Sequence, residues 1–160
     1  MLSFETKDFG PVGYEPEATI EFACGLPGFE DRRRFLALEF AASKPLVFLQ
    51  SLEEPGLCFI TAPVLAVDPE YVLRVSPEDL CDLGFSSARQ PRIGTDVLCL
   101  AVLSPQENGT TANLLAPIVV NIGTLKAVQA IAPDSGYSHQ FPLVAEKVAE
   151  ELAEEAAVCS

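Results

Sequence analysis

The sequence predicts an all-β, mainly antiparallel fold: a small β-barrel-like single domain with one or two short helices and a C-terminal acidic helix. Three observations predict it. Apolar residues recur at period two in short runs, the pattern of strands with one buried face. Clusters of Gly, Pro, Asn and Asp separate those runs at spacings too short for β–helix–β units. Only one internal helix carries both a start and a stop signal.

Taken in order, residues 18–24 place Ile20, Phe22 and Cys24 on one face and Thr19, Glu21 and Ala23 on the other. Gly25-Leu26-Pro27-Gly28 then turns the chain, since Pro fixes φ and Gly tolerates positive φ. Residues 35–40 put Leu36, Leu38 and Phe40 on one face, and 46–50 read as a mostly buried strand. Glu53-Glu54-Pro55-Gly56 breaks the chain before a strand at 57–62, and 71–75 adds a short one. Ser76-Pro77-Glu78-Asp79 supplies an N-cap hydroxyl, a proline at the first helical position and carboxylates near the positive helix end. Gly84 provides the left-handed stop. Residues 96–104 and 110–121 flank Asn108-Gly109 and read as two long strands of a hairpin. A last strand covers 126–131, giving about eight in all, as in an antiparallel barrel or sandwich.

Residues 1–143 form the barrel domain in this reading, and 144–160 extend it as an acidic amphipathic helix. There Val144, Val148, Leu152 and Ala156 make a narrow apolar stripe among Glu146, Glu150, Glu151, Glu154 and Glu155. No internal repeat or low-complexity linker marks a second domain.

The 160 residues are 49% hydrophobic and 21% charged, enough for one self-sufficient core. Ten basic residues against 23 acidic ones give a net charge of −13, which excludes direct nucleic-acid binding and favours basic partners. Five cysteines without a Cys-x-x-Cys spacing read as reduced, buried thiols. The N-terminus lacks a secretory pattern, and no apolar stretch reaches the ~18 residues of a membrane span, so a cytoplasmic location is expected. The sole histidine, His139, has no Gly-x-Ser-x-Gly elbow or acidic ligand cluster to work with. Neither catalysis nor a metal or other cofactor is therefore expected. Arg32, Arg33 and Arg34 read as a solvated turn with local ion pairs, and Asn113 as a polar residue bridging backbone groups beside Pro117. A small-ligand-binding barrel, with Asn113 and Gln50 as polar groups, is the alternative to a protein-binding one.

Three runs carry a resemblance. Phe22-Ala-Cys-Gly-Leu-Pro-Gly-Phe-Glu30, Phe48-Leu-Gln-Ser-Leu-Glu-Glu-Pro55 with Phe59, and Thr111-Ala-Asn-Leu-Leu-Ala-Pro-Ile-Val-Val-Asn121 with Gln129 and Tyr137 resemble the FliW family of bacterial flagellar assembly factors. They span about residues 18–143 in order. The resemblance implies a non-enzymatic β-barrel, monomeric alone, with two protein partners. One is CsrA, a basic RNA-binding dimer that represses translation; the other is flagellin. It implies that the factor opposes CsrA's RNA binding allosterically and that new flagellin competes for the factor. Glu30, Phe48, Ser51, Glu53 and Asn113 are the candidate partner contacts, with a structural role open for Phe48, Ser51 and Asn113. The chain departs from the family at His139, where Arg is common, and in its acidic C-terminal segment.

Overall fold

A computed structural model describes residues 2–143 apart from 27, 87, 88 and 108. The acidic helix expected over 144–160 lies outside the described residues.

The chain opens with a hairpin, β1 (Leu2–Thr6) and β2 (Gly10–Tyr14), that forms its own two-stranded sheet. The sequence reading left this stretch without strands, because Gly10, Pro11 and Gly13 look like loop residues. The turn between its strands is tied to the rest of the molecule: the Lys7 N–H donates to the Pro55 carbonyl, and Phe9 stacks on Phe40 and Phe48.

The barrel follows, built from β3 (Ile20–Phe22), β4 (Arg34–Leu38), β5 (Val47–Ser51), β6 (Cys58–Pro63), β7 (Val97–Gln106), β9 (Ile118–Asn121) and β10 (Lys126–Gln129). Between β7 and β9 lies β8 (Gly109–Ala112), and β11 (Phe141–Pro142) pairs with it outside the ring. Pairing runs β3–β4–β5–β6–β7–β9–β10 and returns to β3, closing a seven-strand barrel. The closing pair, β10 with β3, is parallel, with Lys126 opposite Glu21 and Ala127 opposite Phe22. The barrel is therefore mixed, mainly antiparallel as expected but with one parallel pair at its closure. Parallel pairing at closure leaves no signal in local sequence, because it depends on where two distant ends meet.

Two cores explain why β7 reads as an almost unbroken apolar run. Leu98, Leu100 and Val102 pack with the barrel interior, where Phe22, Phe35, Leu49 and Ile118 are nearly solvent-free. Val97, Cys99, Ala101 and Leu103 point to the outside, which residues 64–83 cover with Val64, Tyr71, Leu73, Val75, Leu80 and Leu83. A strand buried on both faces loses its polar alternation. Two short helices lie in the covering segment: α1 (Val64–Val67) and α2 (Pro77–Asp82). The α2 start is as the sequence predicts, with the Ser76 hydroxyl accepting from the Asp79 N–H at 3.1 Å. Gly84, at φ +89°, ends it.

Two further expectations are corrected. Residues 71–75 are extended but belong to no sheet. Their alternation is real, since Tyr71, Leu73 and Val75 are buried; the partner is not a strand but the Gln90 carboxamide. It accepts from the Val75 N–H at 2.7 Å and donates to the Val75 carbonyl at 2.9 Å. The run at 110–121 is likewise two strands. β8 pairs with the second half of β7 and β9 with the first, while residues 113–117 leave the sheet between them. Pro117 has no N–H for a ladder, and Asn113 folds back to accept from the Ala116 N–H.

Burial also fixes a pH response. It pushes the Cys99 thiol up to about 12 and, with Asp8 nearby, the Cys58 thiol up to about 11. The folded chain thus keeps protons that the unfolded chain releases above about pH 9, so stability falls as pH rises from there. The urea midpoint is expected to be lower at about pH 10 than at about pH 8, with the difference shrinking in a Cys58→Val/Cys99→Val double variant. An identical pH dependence in both proteins would contradict this account.

Candidate partner-binding site

One end of the barrel opens into a cleft of about 260 Å³. Its floor is apolar. Phe59, Val102 and Ile118 reach it from the barrel wall, while Leu26 and Phe29 come from the turn after β3. Its rim is polar and uncharged at the strand ends, with Ser104, Gln106 and Thr111 from the β7–β8 hairpin and Asn113 and Gln129 facing them. His139 and Gln140 close the remaining side. Among the described residues no Asp, Glu, Lys or Arg lines it.

The turn is positioned by backbone geometry. Gly25 adopts φ +72° and lies hard against the Glu30 backbone, which folds Leu26 and Phe29 back toward each other as an isolated bridge. Phe29 then meets Phe59 edge-on at 5.5 Å. Arg33 staples the turn, its guanidinium donating to the carbonyls of Ala23 and Glu30, both at 3.2 Å. Arg32 pairs with Glu54 at 3.3 Å and with Asp31 at 3.8 Å, as local ion pairs of a solvated turn.

The five candidate contacts fall in three places. Asn113 is in the cleft. Glu30 is exposed on the turn beside it, and its carboxylate accepts from the Gly28 N–H at 3.1 Å. Hydrogen bonds from its own N–H and that of Gly28 hold the Glu30 carboxyl below the usual carboxylate range. Ser51 and Glu53 sit together elsewhere. Ser51 is fully buried, and its hydroxyl accepts from the N–H groups of Glu53 and Glu54 at 3.0 and 2.9 Å. The Glu53 carboxylate accepts from the N–H groups of Arg33 and Arg34 at 2.7 and 2.9 Å, and the Arg34 bond is the largest cause of its lowered pKa. Ser51 thus shapes the β5–β6 turn from within, and Glu53 ties that turn to the start of β4. Phe48 alternates with the interior residues Val47 and Leu49 and faces outward, packed against Phe9 and Phe40.

Gln129 and Phe59, which the sequence offers through the resemblance alone, and His139, which it offers as a histidine without catalytic partners, all line the cleft. Ser104 and Gln106 on the rim of β7 carry no sequence signal, because interior and mouth positions of one strand share the same alternation. The other motif residues hold the fold. Asn121 donates to the Leu83 carbonyl at 2.7 Å and accepts from the Gly123 N–H at 2.8 Å, anchoring the end of α2. Tyr137 stacks on Tyr71 at 4.5 Å and accepts from the Val72 N–H. A larger cleft of about 360 Å³, lined by residues such as Arg74, Gln90 and Ile131, gathers none of these motifs. Among the described residues no cluster of His, Cys, Asp and Glu can hold a metal, and no helix is long and apolar enough to cross a membrane.

Comparison with known proteins agrees with this arrangement. The FliW protein family model matches residues 3–143. The flagellar assembly factor FliW of Syntrophomonas wolfei is 33% identical over 144 residues, covering 89% of this chain and 88% of the relative. That of Bacillus subtilis is 30% identical over 144 residues, covering 89% of this chain and 96% of the relative. A crystal structure of the flagellar assembly factor FliW superposes with a TM-score of 0.78 at 28% identity, covering 91% of this chain and 99% of that one. With the family match spanning the whole described barrel, the chain belongs to the FliW family of flagellar assembly factors, which are not enzymes.

Proposed function

We propose that this chain works in the cytoplasm by binding two polypeptides in turn, the RNA-binding regulator CsrA and flagellin. Holding CsrA weakens its grip on messenger RNA allosterically, and flagellin competes for the chain and releases CsrA. Flagellin synthesis is thereby coupled to filament assembly. The observation that carries this reading is the convergence of two family motifs, the 22–30 turn and the 111–121 run, on one mouth of the barrel. The net charge of −13 supports a basic partner, whose approach it accelerates while repelling RNA phosphates.

Calorimetric titration with purified CsrA and with flagellin monomer, singly and together, addresses the proposal directly. Heat is expected with each, and flagellin should displace CsrA. Silence with both proteins would end it. The association rate with CsrA is further expected to drop by about an order of magnitude between low and several-fold higher salt. A rate indifferent to salt would remove the electrostatic component.

A further inference from the structure

Asn113 and Gln129 grip the same residue from two elements. The Ala116 N–H donates to Asn113 Oδ1 at 3.0 Å, and Gln129 Nε2 donates to the Ala116 carbonyl at 3.1 Å. These bonds fix which end of each carboxamide is which and hold both side chains in place. What is left over includes a donor group, Asn113 Nδ2, and an acceptor, Gln129 Oε1. Neither has a hydrogen-bond partner among the described residues. Both residues line the cleft, above a floor that includes Phe29, Phe59 and Ile118.

A peptide unit presents the matching pair, a carbonyl for the donor and an N–H for the acceptor, and its flanking side chain would meet the apolar floor. The charge pattern narrows the occupant. Among the described residues no charged side chain lines this cleft, so its lining has no charge with which to attract a basic partner. We propose that the barrel mouth binds an uncharged, apolar segment of a partner polypeptide, with Asn113 Nδ2 and Gln129 Oε1 hydrogen-bonding its main chain. Resting on the function proposed above, that segment belongs to flagellin; CsrA, with which flagellin competes, makes its own contacts outside the carboxamide pair, in a footprint that overlaps flagellin's at the mouth.

The deciding variant is Asn113→Asp, which keeps the oxygen that accepts from Ala116 and replaces the free donor by an acceptor. Calorimetry on the full chain is expected to show flagellin binding weakened about ten- to a hundredfold, with CsrA binding within about twofold of wild type. Ser104→Trp, which fills the cleft from its exposed rim, should give the same split and covers the case in which the first variant unfolds. Unchanged flagellin affinity in both variants, or equal losses for the two partners, overturns the assignment while leaving the proposed function standing. If wild type binds neither protein, that function fails, and the cleft is judged alone by titrating the isotope-labelled chain with N-acetyl-leucine N-methylamide. A shift of the Asn113 side-chain amide resonance that Ser104→Trp abolishes supports peptide recognition; a flat titration overturns it.

Discussion

Replacing Phe35 by alanine is expected to remove about 3–5 kcal/mol of unfolding free energy, a large share of the ~5–15 kcal/mol available to a domain of this kind. Phe35 is fully buried in the barrel interior. It meets Phe22 edge-on at 5.3 Å and Phe59 at 6.0 Å, so truncation leaves a cavity bounded by rings that cannot collapse into it. The neighbouring strands also resist collapse, since β4 is hydrogen-bonded to β3 on one side and β5 on the other. Phe35→Leu, which retains most of the volume, should lose under about 2 kcal/mol, and Val72→Ala, at an exposed position, within about 0.5 kcal/mol. Urea unfolding at constant m-value checks the series. A loss below about 1 kcal/mol for Phe35→Ala would mean that the barrel interior is not the packed core described above.

The second large effect is expected at Gly25. Its φ of +72° disfavours any side chain, and an added Cβ would stand 2.6 Å from Glu30 Cα and 2.7 Å from the Glu30 carbonyl oxygen. Those are backbone atoms, so nothing can swing aside. The left-handed conformation alone disfavours alanine by about 1–2 kcal/mol, and the clash adds about 1–3 kcal/mol. Gly28 provides the control: its φ is +85°, yet nothing lies within 4 Å of the new Cβ. Gly28→Ala should therefore show the conformational part only, and Gly25→Ala both. Because the Gly25 turn carries Leu26 and Phe29 into the cleft, Gly25→Ala should also weaken flagellin binding under conditions where the variant stays folded. Equal destabilisation by the two alanines would show that the turn relaxes freely and does not set the shape of the barrel mouth.

How much of this was legible beforehand follows from the range over which each feature is decided. Ser76, Pro77 and Gly84 specify α2 through atoms within one or two turns, and the helix forms where they place it. The strands at 20–22 and 34–38 follow from side-chain alternation, and those at 47–51 and 58–63 from short apolar runs around a turn signal, again local. The β1–β2 hairpin was illegible because its support comes from Pro55, Phe40 and Phe48, far along the chain. At 71–75 the alternation correctly marked a one-sided extended segment, but pattern cannot reveal that a glutamine carboxamide takes the place of a strand.

The candidate contacts divide in the same way. Ser51 and Glu53 stood out in sequence and proved to be bonded inward to turn backbone, as a conspicuous polar residue in a β-rich chain often is. Asn113 stood out for the same reason but has one carboxamide end to spare.

By itself the sequence determined the β-rich class, the α2 helix, the net charge of −13 and the motifs of the family. Each rests on residue identity or on contacts a few positions apart. Tertiary structure alone decided the parallel closure of the barrel, the split of 110–121 into two strands, and the meeting of Leu26, Phe59, Asn113 and Gln129 around one cleft. The physical reason is that closure brings together strands more than a hundred residues apart, and only the ring of backbone hydrogen bonds determines which of them become neighbours.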